Sequence, residues 1–233
     1  ASFVAGIADY VAKIWREPDN GIWEQRMEPR HYVHSKVMAW DALTHAVLLA
    51  RCGRIKGDVA TWEREEDAIR ELVMARGYNR DIGAFTQTLD GDALDAALLK
   101  LPLVGFIDGD DPRMVSTIDA IREQLTVHGF VRRYSTSDGL GGSEGAFLPC
   151  EFWLVAALAG AGRTEEARAA YENAMRASND VGLLAEEFDG RTATMLGNFP
   201  QGLSHIAQIT AALALARAQR GEIARGRSWP VSK

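Results

Sequence analysis

The stretch "GAFLPCEFWLVAALAGAGRTEEARAAYENAMRAS", residues 145–178, decides the fold class of this chain. Apolar residues recur at three- and four-residue spacing on both sides of Gly162, which predicts two amphipathic helices. Gly162 is placed to end the first helix, and Thr164 followed by two glutamates is typical of an N-cap with an acidic first turn. The short connection predicts that the two helices form an antiparallel hairpin.

The same periodicity extends over the rest of the chain, where strand-like alternation is scarce. No Pro/Ser-rich or low-complexity linker interrupts it, so we expect a single α-helical domain over residues 1–233. Gly53 and Gly129 are also predicted to close helices. A helical solenoid remains an alternative, although no repeat of fixed period is present. Helices are predicted at 2–16, 33–52, 57–77, 91–101, 111–127, 145–161, 164–178 and 202–220.

Composition excludes several classes of function. The 233 residues are 47 % hydrophobic and carry 26 basic and 32 acidic side chains, a formal charge of −6. A chain with this balance and no basic stripe is not expected to bind nucleic acid, and no apolar segment reaches membrane-spanning length. Cys52 and Cys150 are expected to be free, buried thiols, which favours a cytoplasmic location. Trp15, Trp40 and Trp62 are expected in the core.

Long polar connections at 17–31, 78–92, 132–144 and 179–200 are the expected location of function. In the first of them Trp23 directly precedes Glu24, within a stretch rich in Gly, Asp, Asn and Pro. A carboxyl beside an indole is partly desolvated, which raises its pKa and lets it donate a proton near neutrality. The alternative is an ordinary surface glutamate.

Acidic residues also gather in the last long connection, where "GLLAEEFD" ends in Glu186, Glu187 and Asp189. Neighbouring carboxylates on a polar loop stay ionised, as a general base must, and either glutamate is placed to orient a water molecule. The alternative is that they solvate the end of a helix. Asn198 and Gln201 follow as hydroxyl ligands or helix caps.

A third polar region precedes the helix that carries Phe152 and Trp153. It contains Arg133, Tyr134, Glu144 and several glycines. A polar rim, an aromatic floor and two separated acids suit a sugar, because glycoside hydrolysis requires two carboxyl groups that flank the scissile bond. The spacing of the residues along the chain does not distinguish a retaining from an inverting enzyme.

Four segments carry a resemblance to a known family: "GIWEQR…HYVHSKVMAW", "DDPRMVSTIDAI", "GGSEGAFLPCEFWLVAALAGAGR" and "GLLAEEFD…LGNFPQGLSHIAQI". In this order they resemble the bacterial branch of glycoside hydrolase family 15, the glucoamylase-like and trehalase-like enzymes. The resemblance implies an all-α (α/α)6 barrel and inverting hydrolysis of an α-glucosidic bond. It implies an α-linked glucose oligosaccharide or disaccharide as substrate, with no metal or other cofactor; His31 and His34 have no third ligand at suitable spacing.

The resemblance also assigns roles to residues of this chain. Glu24 falls on the family's general acid and Glu186 on its general base, and we expect the two to face each other across a cavity that holds one sugar linkage and a water. Gln25 stands where fungal relatives carry a second glutamate. Lys36 is either a sugar contact or a structural lysine. The expected substrate-binding residues are Trp23, Gln25, Lys36, Arg133, Glu144 and Glu187.

The chain departs from the family in length. Family barrels have twelve helices and eight are predicted here, so we expect a partial barrel that lacks about four helices and the Arg-Asp segment that holds the terminal glucose. We therefore expect weak or no activity from the chain alone, and self-association through helix faces exposed by truncation. The alternative function is a helical carbohydrate-binding or scaffold module without catalysis.

Overall fold

Seven α-helices dominate the computed structural model, which describes residues 1–136 and 145–222. The all-α character predicted from the sequence is confirmed, with small sheets added to it. The bounds of the helices follow the apolar periodicity closely, as for the second, predicted at 33–52 and observed at Val33–Arg51. The helices are α1 Ser2–Ile14, α2 Val33–Arg51, α3 Val59–Arg76, α4 Pro112–Leu125, α5 Leu148–Gly160, α6 Thr164–Met175 and α7 Gly202–Gln219.

Local capping chemistry explains where several helices begin and end. The Asp58 carboxylate accepts a hydrogen bond from the Thr61 N–H, and the Asp111 carboxylate accepts one from the Arg113 N–H, so each satisfies a free amide of a first turn. Gly53 and Gly162 follow α2 and α5 with φ of 69° and 75°, as predicted.

Two details of the predicted helix ends are wrong. The N-cap of α6 is Arg163 and not Thr164, and no side chain caps this helix. The Arg163 guanidinium instead donates to Asp119 at 2.6 Å and to Glu166 at 2.7 Å. Gly129 does not close a helix either: α4 ends at Leu125, and Gly129 forms the turn of a short hairpin with φ of 85°.

The helix predicted at 91–101 is present only as a 3₁₀ helix over Ala96–Lys100. The Asp95 carboxylate accepts the Ala97 N–H at 2.8 Å and caps it. Pro102 follows two residues after Lys100 and lacks the N–H that a longer helix needs. The short distance between this cap and this proline leaves room for little more than one turn.

Seven strands of two or three residues form three antiparallel sheets in the described residues, inside and beside segments that were predicted as loops or helix ends. Strands this short do not show the alternation that identifies a strand in a sequence. In the three-stranded sheet, Phe147 of β5 pairs with Glu187 of β6, and Glu187 pairs with Leu196 of β7. The strands are β1 Tyr78–Asn79, β2 Ala84–Phe85, β3 Thr126–Val127, β4 Phe130–Val131, β5 Ala146–Phe147, β6 Glu187–Asp189 and β7 Thr194–Leu196.

The Cα positions group into two compact units, Ala1–Asp92 and Ala93–Lys233. In the first unit α1, α2 and α3 pack together, and Trp15, Trp40 and Trp62 are buried among them, as predicted. Glu65 of α3 is buried with its carboxylate accepting hydrogen bonds from the Trp15 indole at 3.0 Å and from Arg16 at 2.5 Å. The prediction of one domain over the whole chain stays a prediction.

In the second unit α5 is the central element, since nearly all its side chains are buried against α6, α7 and the 3₁₀ helix. Cys150 lies in this helix and is buried and free, as expected. Cys52 is also free, but it is exposed, because it lies one residue beyond the end of α2 and outside its apolar face. Among the helices of the described residues, none combines the length and hydropathy needed to cross a membrane.

Candidate active site

The connection between α1 and α2 is a closed loop with its own hydrogen bonds. Asp19 and Arg30 exchange both backbone hydrogen bonds, at 2.9 and 2.8 Å. Inside this pair, the Gln25 N–H donates to the Asn20 carbonyl at 3.0 Å and the Asn20 side chain donates to the Gln25 carbonyl at 2.8 Å. These contacts hold the ends of the segment 21–24 together, and we call this segment the tip of the loop.

Glu24 lies at this tip in a left-handed backbone conformation, with φ of 50°. Few residues other than glycine adopt such a conformation, and those that do are concentrated at functional sites. Trp23 is half-buried, whereas Glu24 is exposed. The partial desolvation expected from the neighbouring indole is therefore wrong for the described chain, because adjacent side chains on this turn do not share one environment.

Gln25 points the other way and is buried. Its Oε1 accepts a hydrogen bond from the Tyr32 hydroxyl at 2.7 Å. Within the described residues its Nε2 is buried without a hydrogen-bond partner. The amide thus fixes one side of the tip against α2, and its predicted contact with substrate stays a prediction.

Lys36 is the buried cation of the first unit, with only 2 % of the residue exposed. Its Nζ donates to the Trp15 carbonyl at 2.7 Å and the Glu17 carbonyl at 2.6 Å, and lies 3.8 Å from the Asp19 carboxylate. Burial lowers the pKa of Lys36, partly offset by the nearby Asp19 and Glu17. The contacts favour the structural alternative for this lysine, although it also lines a cavity of about 510 Å³ between α1 and α2.

Glu186 lies immediately before β6, in the second unit, and is held by backbone contacts on both sides. Its N–H donates to the Asn198 carbonyl at 2.9 Å, and its carbonyl accepts the Leu148 N–H at 3.0 Å. From α7, the buried Ser204 hydroxyl donates to the Ala185 carbonyl at 2.7 Å. The backbone at the predicted base is therefore fixed by three separate segments.

The carboxylate of Glu186 is also held, through one of its oxygens. Oε2 accepts the Asn198 backbone N–H at 3.0 Å and the Asn198 side-chain Nδ2–H at 2.8 Å. The sequence pointed to Asn198 only as a hydroxyl ligand or a cap, and missed this contact because it joins residues twelve positions apart across a hairpin. Gln201 does cap α7, by accepting the Leu203 N–H at 3.3 Å.

Glu187 continues the strand. Because side chains alternate along a strand, it is directed to the face of the sheet opposite Glu186. A Cβ added at Gly145 would lie 3.2 Å from the Glu187 Cβ, so this face adjoins the start of β5. Its predicted role beside the base stays a prediction.

Arg133 follows β4, and its carbonyl accepts the Ala96 N–H at 2.8 Å. Its guanidinium lies 5.6 Å from the centre of the Tyr134 ring, and Tyr134 pairs with Asp95 in an isolated bridge. These contacts place the arginine beside the cap of the 3₁₀ helix. Glu144, the remaining predicted contact, lies outside the described residues.

A buried glutamate that the sequence analysis did not single out lies next to β4, the strand before Arg133. Glu151 of α5 accepts the Val131 N–H at 2.9 Å and the Asn173 Nδ2–H at 3.3 Å. Burial raises the pKa of Glu151 to about 7, opposed by these two hydrogen bonds and by Arg122. The available signal was that Glu151 is the one charged residue of an otherwise apolar helix, since a buried charge is rare without a partner.

The predicted site residues thus fall in two groups. One loop of the first unit carries Trp23, Glu24 and Gln25, and Lys36 binds two backbone carbonyls where this loop begins. The second unit contains Arg133, Glu186 and Glu187. Among the described residues, no cluster of three or more His, Cys, Asp or Glu side chains is arranged to hold a metal ion.

Solved structures of known proteins share this architecture. A bacterial glucoamylase complexed with acarbose superposes with a TM-score of 0.73 at 16 % identity, over 95 % of this chain and 38 % of that chain. At this identity the likeness shows the fold alone, which is that of the glucoamylases. The chain belongs to the glycosyl hydrolases family 15, whose family model matches residues 1–213.

Two trehalases are similar in sequence. The trehalase of Thermoplasma acidophilum is 40 % identical over 217 residues, which are 93 % of this chain and 37 % of the relative. The trehalase of Mycolicibacterium smegmatis is 42 % identical over 210 residues, 89 % of this chain and 31 % of the relative. The chain therefore spans about a third of the length of these relatives. The family predicted from the four motifs is confirmed, which favours a hydrolase over a scaffold module.

Proposed function

We propose that this chain is part of the catalytic region of an inverting glycoside hydrolase that acts on α-glucosidic bonds, with Glu24 as general acid and Glu186 as general base. The match of the family model to residues 1–213 carries the proposal. The left-handed tip that presents Glu24 and the anchored carboxylate of Glu186 support these two roles. We further propose that the helices form part of an (α/α)6 barrel.

In this mechanism Glu24 gives its proton to the glycosidic oxygen as the bond from that oxygen to C1 breaks. Glu186 takes a proton from a water whose oxygen forms the new bond to C1 on the opposite face of the ring. The transition state resembles an oxocarbenium ion, and the released sugar has inverted configuration. Trp23 forms a wall of the sugar pocket, and the proposed hydroxyl contacts are Gln25, Arg133, Glu144 and Glu187. For Lys36 we propose the structural role, because its Nζ donates to the carbonyls of Trp15 and Glu17.

The names of the relatives support two substrate classes, trehalose and the ends of α-glucans. Glucose release from trehalose and from maltose separates them. The assay is made with the 233-residue chain and with the longest natural polypeptide that contains it, because the relatives are about three times as long. We expect the longer polypeptide to be active and the chain alone to be weak or inactive.

Glu24→Gln and Glu186→Gln test the two roles. Each should lower kcat on a natural disaccharide by about 10²- to 10⁴-fold, because each removes one proton transfer. α-Glucosyl fluoride distinguishes them: fluoride leaves without protonation, so Glu24→Gln should regain turnover on this substrate whereas Glu186→Gln should not. Glu165→Gln, at an exposed site on α6, is the matched control and should be unchanged.

Circular dichroism should show the same helix content for all three variants. Turnover of the natural disaccharide within threefold of wild type in either glutamine variant would remove that residue from the mechanism. Retention of configuration in the first product, seen by NMR, would contradict the inverting assignment.

We also propose that the chain self-associates through two exposed apolar helix faces. On α1 these are Phe3, Val4, Ile7, Tyr10 and Ile14; on α7 they are Leu203, Ile206, Ile209 and Leu213. Such continuous apolar stripes are rare on monomeric proteins. Sedimentation velocity should show a concentration-dependent increase in mass that Ile206→Lys reduces and Gln219→Lys, on the same helix, does not. A constant monomer mass would refute this proposal.

A further inference from the structure

Asn198 makes an unusual set of contacts with a single residue. Its carbonyl accepts the Glu186 N–H at 2.9 Å, while its own N–H and its side-chain Nδ2–H both donate to Glu186 Oε2, at 3.0 and 2.8 Å. Hydrogen bonds to an ionised acceptor are the stronger class. One residue therefore fixes both the backbone and the carboxylate of Glu186.

Gly197 provides the space for this arrangement. It has φ of 71°, and a Cβ built on it would lie 2.9 Å from Glu186 Oε2 and 3.0 Å from the Glu186 Cβ. Any side chain at this position would push the carboxylate away from Asn198. Gly197 and Asn198 thus both lie close to Oε2 of Glu186.

The other carboxylate oxygen, Oε1, has different surroundings. In the described part of the chain, no residue donates a hydrogen bond to Oε1. Glu186 is half-buried and Asn198 is exposed, so the carboxylate lies near the surface of its unit. With Oε2 held by two donors, rotation of the carboxylate about its last bond would break both contacts.

We infer that Asn198 is a positioning residue that gives the two oxygens of Glu186 separate tasks, Oε2 to be anchored and Oε1 to accept the proton of the attacking water. The inference rests on the proposed role of Glu186 as base. In the step, the water oxygen bonds to C1, one water proton passes to Oε1, and the electron pair of the broken C1–oxygen bond stays on the leaving oxygen, which Glu24 protonates. A water 1 Å out of place is expected to react about 10²-fold more slowly.

The test uses Asn198→Asp and Asn198→Ala in the longest active polypeptide that contains this chain. Aspartate keeps the shape but replaces the donor by a negatively charged oxygen, and alanine leaves only the backbone donor. We expect kcat to fall about 10- to 100-fold with KM within about threefold, since the misplaced base affects the reaction more than binding. Thr194→Ala, in the same hairpin, is the control and should keep the wild-type kcat.

Sodium azide separates a positioning role from a merely structural one. The test is made in Glu186→Ala, where removal of the carboxylate leaves room for the anion: azide attacks C1 without losing a proton and bypasses the base, with the glucosyl azide of inverted configuration as product. The azide-restored rate should be the same with and without Asn198→Ala, because a positioning residue acts only through Glu186. An azide-restored rate that Asn198→Ala lowers more than threefold would overturn the inference, as would kcat within twofold of wild type in both Asn198 single variants.

Glu186→Ala in the same assay tells the two proposals apart. If it is inactive and restored by azide while the Asn198 variants behave as wild type, the base role stands and the positioning role fails. If Glu186→Ala keeps full activity, the base role itself fails. Should Asn198→Asp not fold, NMR of the folded Glu186→Gln protein gives a second readout: the Asn198 side-chain amide resonances should shift from their wild-type positions, and unchanged resonances would overturn the inference.

Discussion

The two segments that carry the proposed carboxylates are anchored in different ways. In the loop 17–32 the hydrogen bonds on both sides of Glu24 hold the backbone: Asp19 pairs with Arg30, and Asn20 bonds to the backbone of Gln25. The Glu24 side chain is exposed. In the segment 185–201 both the backbone and the carboxylate of Glu186 are held, the latter by two donors from Asn198.

This difference matches the demands of the two proposed roles. A general acid meets a leaving oxygen that belongs to a bound substrate, so the substrate itself completes the orientation of the carboxyl. A general base meets a water, a small and mobile partner, and the protein must supply the orientation. The anchored carboxylate of Glu186 therefore suits a general base, and the exposed carboxyl of Glu24 suits a general acid.

Each unit also has a buried ionisable group near its site residues. Lys36 bonds the carbonyls of Trp15 and Glu17 at the start of the acid loop. Glu151 bonds the Val131 N–H, two residues before Arg133. A buried cation thus supports the first segment, and a buried acid, whose pKa is raised to about 7, supports the strand that leads to Arg133.

The largest effect is expected from Lys36→Met. Methionine fills a similar volume but leaves two buried carbonyls without their donor, which should lower the free energy of unfolding by about 4 kcal/mol. Urea denaturation of the chain measures it. The control is Lys13→Met, on the exposed side of α1. If Lys36→Met instead keeps its stability and raises only KM, the lysine is a sugar contact, and the acid loop is not supported as described.

A pH-dependent effect is expected from Glu151. Its pKa is about 7 in the folded chain against 4.5 for the free group, so between these values the folded state keeps a proton that the unfolded state has released. Stability from this group is therefore full below pH 4.5 and falls as pH rises to 7, by on the order of 3 kcal/mol.

Glu151→Gln removes that titration and should flatten the pH dependence of the free energy of unfolding between pH 5 and 7.5. Exposed Glu172→Gln on α6 should keep the wild-type slope. Equal slopes in Glu151→Gln and wild type would show that Glu151 does not titrate in this range. The contrast between a buried cation near the first segment and a buried, titrating acid near Arg133 would then fail.

The sequence predicted the long helices well because their evidence is repeated along many residues. The apolar spacing of α4 and α6 and the closing glycines Gly53 and Gly162 can be read directly from the sequence. The short elements had no such repetition: a strand of two residues has no period, and the 3₁₀ helix between Asp95 and Pro102 resembles the start of a longer helix.

The candidate site was predicted as residue types but not as contacts. Motifs pointed to Glu24 and Glu186, yet neither the exposure of Glu24 beside Trp23 nor the bond from Asn198 to Glu186 follows from neighbours in the chain. The first depends on a single left-handed residue, and the second on the register of a hairpin. Both are set by backbone geometry that many sequences share.

The smallest effects should come from the hydroxyls that brace each segment from a helix or its start. Tyr32 donates to Gln25 Oε1 below the acid, and Ser204 donates to the Ala185 carbonyl beside the base. Tyr32→Phe and Ser204→Ala each remove one buried hydrogen bond, worth about 1 to 2 kcal/mol of unfolding free energy.

Because Glu186 is also held by Asn198, Ser204→Ala should lower stability with kcat nearly unchanged. Gln25 has no second side-chain bond in the described chain, so Tyr32→Phe should also lower kcat, by about threefold to tenfold. Equal losses of kcat in the two variants, measured on one disaccharide, would mean that the two carboxylates depend equally on their supports, and the contrast drawn between them would fail.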